Sequence, residues 1–229
     1  MNKKDDFKKG MKSIALTLIE ESPKLIDPKI VTDPISPVVD FFKGVASKLI
    51  TQFLNDYKAK VSKGEVKKPE DFKTEEPVLT LAELLKVLAQ ELPDKERFKA
   101  LKSIFFTSIA KGASEEDEML AYEFIQTAKK LSGIEILILK ANYEIAEEGL
   151  GDTNSMAFQN RDTWRREITK KMGDEKYKAL VRKYERNLED LGLISPRGEM
   201  DRLQNNFEAT HHFRLTEIGK KFCEFITEF

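Results

Sequence analysis

Asn187–Ile226, NLEDLGLISPRGEMDRLQNNFEATHHFRLTEIGKKFCEFI, passes from the end of one helix through a glycine stop and two strand-like pieces into another helix. Leu188 and Leu191 share a helix face, and Gly192 offers the left-handed residue that ends such a helix. Leu193 and Ile194 then enter an extended piece. Pro196-Arg197-Gly198 and Asn205-Asn206 supply turn chemistry. Phe213 and Leu215 alternate on one face of the returning strand. Thr216 is placed to cap the helix EIGKKFCEFI, in which Cys223 sits among apolar neighbours as a small core residue.

Working outward, RDTWRREITKKMG (Arg161–Gly173) reads as a short helix with Trp164 as its core anchor. DEKYKALVRKYERNLEDLG (Asp174–Gly192) reads as a longer one with Tyr177, Leu180, Val181, Tyr184, Leu188 and Leu191 on one face. SGIEILILKANYEIAEEG (Ser132–Gly149) begins with a nearly continuous apolar run. The run also alternates as a strand would, but the helix formers that follow favour a buried helix. LGDTNSMAFQN (Leu150–Asn160) is a polar loop. The order helix, helix, helix, strand, wing, strand, helix is that of a winged helix. The run NLEDLGLI…FRLTEIGKKF resembles the corresponding part of MarR-like winged-helix proteins, in which L-x-x-L-G-L-I ends the recognition helix and Y/F-x-L-T-x-x-G closes the wing.

Seven of the eight prolines fall at or before Pro93, so the first third is punctuated and the stretch from Asp94 to Ser195 can run in long helices. ESPKLIDPKIVTDPISP (Glu21–Pro37) reads as a proline-rich linker. From Pro37 to about Val61 a helix is predicted, with Val38, Phe42, Val45, Leu49 and Phe53 as its apolar stripe. Ser62–Pro77 is a polar loop. Thr80 and Glu83 are spaced as a capping box for TLAELLKVLAQEL. Pro93 and Gly112 bracket a third helix, and Ser114 caps a fourth. The acidic run Glu115–Glu118 in that first turn is explained by the helix dipole rather than by a metal. The fold expected is therefore mainly α: a helical module over residues 1–130 (N-terminal helix and linker 1–36, helices 37–130), then a winged helix-turn-helix with a small β-hairpin wing over 131–229. The order PISPVVDFFKGVASKLI, SIAKGASEEDEMLAYEFIQTA, LSGIEILILKA and the ending module is also similar to that of the Abi-alpha family of bacterial proteins. That resemblance implies a role in abortive infection, that is, phage defence.

Composition narrows the function. With 39 basic against 40 acidic side chains, the net charge is −1, so any nucleic-acid site must be a local patch. At 229 residues the chain can bury about 70–75% of its unfolded surface and needs no disulfide or metal to fold. One cysteine and no secretory pattern suit the cytoplasm. No segment approaches the roughly 18–20 apolar residues of a membrane span. The two histidines, His211 and His212, are adjacent on a strand-like piece and would point to opposite faces. No phosphate loop, nucleophile elbow or metal-ligand spacing is present, so no catalytic residue, metal or cofactor is expected, and the protein is read as non-enzymatic.

Between Arg161 and Leu188, ten Lys or Arg face five Asp or Glu. The expected DNA contacts are Arg165, Arg166, Lys170, Lys171, Lys176, Lys178, Arg182 and Lys183, joined by Arg197 and Arg202 of the wing. Two readings stand side by side. In one, a homodimer built through the N-terminal helices presents paired winged helices to duplex DNA. In the other, the ending module docks a protein partner. A continuous basic face favours DNA; Glu185, Asp190 and the wing acids breaking it would favour a protein.

Overall fold

The computed structural model describes residues 36–72, 74–148, 160–173, 176–196 and 212–229, with side chains from residue 44 onward. The chain divides into two compact units: Met1–Lys130 together with Glu228–Phe229, and Leu131–Thr227.

In the first unit, α1 (Ser36–Lys63), α2 (Glu76–Gln90), α3 (Lys95–Ser108) and α4 (Glu115–Lys129) pack with α2 against the other three and α3 against α4. The buried positions of α1 are Ala46, Ile50, Phe53 and Tyr57, while Val45 and Leu49 are half-buried. Phe53 is buried as expected, the side chains of Val38 and Phe42 lie outside the described ones, and the buried face shifts by one position to Ala46 and Ile50 before continuing to Tyr57. The Phe53 ring lies 5.5 Å from Phe105 edge-on and 5.7 Å from Phe106 in a stacked pair. The Tyr57 ring meets Phe105 at 5.9 Å, and its hydroxyl donates to the Lys67 carbonyl at 3.3 Å. Helix α2 starts at Glu76 with Pro77 in its first turn, so Thr80 is not its cap; Thr80 is fully buried in mid-helix. Asp94 caps α3 and Ser114 caps α4, the latter in a capping box with Asp117. Of the acidic run, Glu118 is buried and paired with Lys67 at 2.7 Å and Thr74 at 2.5 Å.

The second unit holds α5 (Gly133–Glu147), α6 (Arg161–Lys171), α7 (Tyr177–Asp190) and α8 (Glu217–Thr227), with α5 packed against the other three and α6 against α7. Ser132 caps α5, so the apolar run Ile134–Leu139 is helical. Ile136, Leu139, Trp164, Ile168, Val181, Leu188, Phe213, Leu215 and Phe222 form the core. Trp164 donates its indole N–H to Asn142 at 2.6 Å, and Asn142 donates to the His212 carbonyl at 3.3 Å. Cys223 is buried, and that burial pushes its thiol pKa well up, which keeps it unreactive at neutral pH.

The T-x-x-G pattern has a direct physical reading here. The Thr216 hydroxyl accepts from the Gly219 amide at 3.0 Å and donates to the Gly192 carbonyl at 2.6 Å. A Cβ on Gly219 would lie 1.9 Å from the Leu193 carbonyl oxygen, so only glycine lets α8 approach that backbone.

The β-hairpin wing expected at this end is not found: the described residues hold no strand, and this end carries only two isolated bridges, Ile194 with Leu215 and His212 with Leu215. Residues 197–211 lie outside the described ones. The stretch expected to return as a strand is instead a tight turn: Phe213 and Arg214 have φ of 48° and 77°, which extended backbone does not allow. Both side chains are fully buried, and Arg214 is held by carboxylates on α7. The winged-helix expectation is therefore replaced by a helical unit closed by a turn.

Candidate nucleic-acid interface

The expected basic face separates into two layers. The inner layer centres on Glu185, a single carboxylate of α7 that is 1% exposed. It accepts from Arg161 Nε at 2.7 Å, from Arg165 Nε at 2.8 Å and from Arg214 Nη1 at 2.6 Å. Arg214 also pairs with Glu189, donates from Nε to the Ser195 carbonyl at 3.2 Å, and lies 4.6 Å over the Trp164 ring. Burial by itself would raise the Glu185 pKa. Hydrogen bonds from Arg161, Arg214 and Arg165, with the charge of Arg214, outweigh burial and bring it down to about 2. The carboxylate is therefore ionised throughout the physiological range.

The outer layer is an open concavity of about 830 Å³, lined by Arg165, Arg166, Lys176, Lys178 and Arg182, with Asp162 and Ala179 between them. Helix α6 contributes Arg165 and Arg166; α7 contributes Lys178 and Arg182, with Lys176 at its N-cap. Arg165 is the back wall. Besides its bonds to Glu185, its Nη1 reaches Asp162 Oδ1 at 3.3 Å, so its charge is already matched. Arg166 is exposed and pairs only with its neighbour Glu167, at 3.1 Å, a surface contact of little energy. Lys178 and Arg182 are exposed and make no ion pair among the described residues. Lys176 is exposed and sits 5.1 Å over the Tyr177 ring.

The remaining sequence-predicted contacts fall elsewhere. Lys171 is tied to Glu148 at 2.6 Å and Glu144 at 3.2 Å, contacts that raise its pKa. Lys170 and Lys183 are exposed but do not line the concavity. Arg197 and Arg202 lie outside the described residues. Glu185, counted from the sequence as an acid on the outer face, points inward and does not interrupt it. Asp190 is exposed and lies 3.8 Å from Arg186. Sequence reasoning missed Arg161 and Arg214 as members of the buried network. An arginine between Phe213 and Leu215 reads as the solvent side of a strand, and no local signal marks it as core.

Among the described residues no helix is long and apolar enough to cross a membrane, and no group of three or more His, Cys, Asp or Glu is arranged to hold a metal ion. No protein family, curated protein or solved structure matches this chain.

Proposed function

We propose that this is a non-enzymatic binding protein whose second unit holds duplex DNA in the concavity between α6 and α7. One observation carries the reading. Lys178 and Arg182, exposed and unpaired among the described residues, converge with Arg166 and Lys176 on one open space, against one acid, Asp162, among the described lining residues. Phosphate oxygens are the ligands that such a set attracts, because each contact releases condensed counterions. The abortive-infection resemblance suggests the setting, a cytoplasmic response of a bacterium to phage.

The test is fluorescence anisotropy of a labelled duplex across a salt series. If all four cations meet phosphates, log K should fall against log salt with a slope of about −3.6. Joint reversal of Arg166, Lys178 and Arg182 to Glu should abolish binding while circular dichroism and the melting midpoint stay unchanged. Unchanged affinity in that variant would sink the assignment. No binding by the wild type at low salt would leave the second reading, an acidic surface of a protein partner seated on the same cations.

A further inference from the structure

We infer that this groove recognises the charge of consecutive phosphates and reads no bases; the inference rests on the DNA reading for its site but not for its ligand. Base readout needs amide, hydroxyl or guanidinium edges free to make paired hydrogen bonds, and single-strand recognition needs rings on which bases stack. Among the described residues lining the concavity there is no Asn, Gln, Ser, Thr or aromatic side chain. The neighbouring rings are occupied: Trp164 is fully buried under Arg214, and Tyr177 and Tyr184 are half-buried with Lys176 and Lys183 over them.

The arginines complete the argument. A guanine pairs with an arginine that can present two N–H groups in one plane. Arg165 has Nε, Nη1 and Nη2 all engaged with Glu185 or Asp162, so it cannot turn its fork outward without breaking the buried network. Arg166 has its Nε committed to Glu167. Arg182 keeps its whole fork and Arg166 its two terminal nitrogens, and with no amide or hydroxyl beside them among the described lining residues they supply charge for phosphate rather than a base pattern. What remains is a set of exposed positive charges borne on two packed helices, in front of an Arg165 whose own charge is matched by Glu185 and Asp162. Its complement is a row of closely spaced phosphates, in a nucleic-acid backbone or in a base-free condensed phosphate chain.

Inorganic polyphosphate is the probe that separates the sources, because it carries the charges without sugar or base. Competition against a labelled duplex should show displacement by polyphosphate, and duplexes of unrelated sequence should bind within about twofold of one another. Arg182→Lys should bind within about twofold of wild type, since a point charge suffices for phosphate, whereas Arg182→Glu should lose binding more than tenfold. A preference above about tenfold for one duplex sequence, or a comparable loss in Arg182→Lys, would overturn the inference while leaving DNA binding intact. Polyphosphate binding, seen directly by calorimetry, without duplex binding would uphold the groove as a phosphate receptor and remove the DNA reading. Binding of neither would remove both.

Discussion

Replacing Glu185 by Gln keeps the shape of a buried side chain at the centre of the second unit's ion cluster and removes its charge. Three arginines converge on that carboxylate, and one of them, Arg214, has no exposed surface. The size of the effect can be worked from the carboxyl itself. Brought from its ordinary 4.5 down to about 2, it contributes about 3 kcal/mol to folding at neutral pH. Breaking a buried ion pair by deleting one partner gives a similar figure, about 3–5 kcal/mol. Because this pKa is depressed, the contribution is fully present above the unfolded value and is lost as pH falls through the folded one. The difference in unfolding free energy between wild type and Glu185→Gln should therefore be about 3 kcal/mol at pH 6 and shrink steadily between pH 4.5 and 2. Urea titration followed by tryptophan fluorescence is the assay, since Trp164 is the only tryptophan and is buried in this unit. A difference below about 1 kcal/mol, or one that does not change with pH, would refute the carboxylate as the electrostatic centre of the fold.

Three further substitutions probe other parts of the structure. Gly219→Ala should cost more than about 3 kcal/mol, because its Cβ meets the rigid Leu193 carbonyl at 1.9 Å; a melting midpoint within about 2 °C of wild type would contradict the close approach. Gly192→Ala, at φ 68° but in open space, should cost only about 1 kcal/mol by the same assay. Thr80→Val should leave the first unit unchanged or stabilise it by about 1 kcal/mol, since the buried Thr80 hydroxyl has no hydrogen-bond partner among the described residues; a clear loss of stability, read by circular dichroism in urea, would show that the hydroxyl is satisfied.

Much of the helical framework was legible because its signals are local. Ser114 caps the helix that follows it, Gly173 and Gly192 take the left-handed φ that ends α6 and α7, and Thr216 caps α8. Each depends on a few consecutive residues and the backbone groups beside them. Where a local signal competed with a distant contact, the distant contact won. Thr80 and Glu83 have the spacing of a capping box, yet Pro77 opens the helix a turn earlier, and Glu83 is drawn to Lys129 on α4 at 2.5 Å. The stretch HHFRLT alternates as a strand does, but the attraction between Arg214 and two carboxylates far away in sequence folds it into a left-handed turn.

The same rule explains why charge counting along α6 and α7 misplaces the site. Ten bases against five acids gives a local excess of five, but a count cannot say which charges face each other. Arg161 and Arg165 are spaced four apart and fall on the side of α6 that meets Glu185, whereas Arg166, one residue later, falls a third of a turn away and reaches solvent. Helical phase therefore decides which arginines hold the fold and which remain to meet a ligand. The acid that seemed to weaken a basic surface serves it instead: Glu185 binds its arginines from inside, fixing α6 against α7. The exposed cations Arg166, Lys178 and Arg182 thus project from two helices whose separation is set by a buried ion cluster rather than from side chains on a loop.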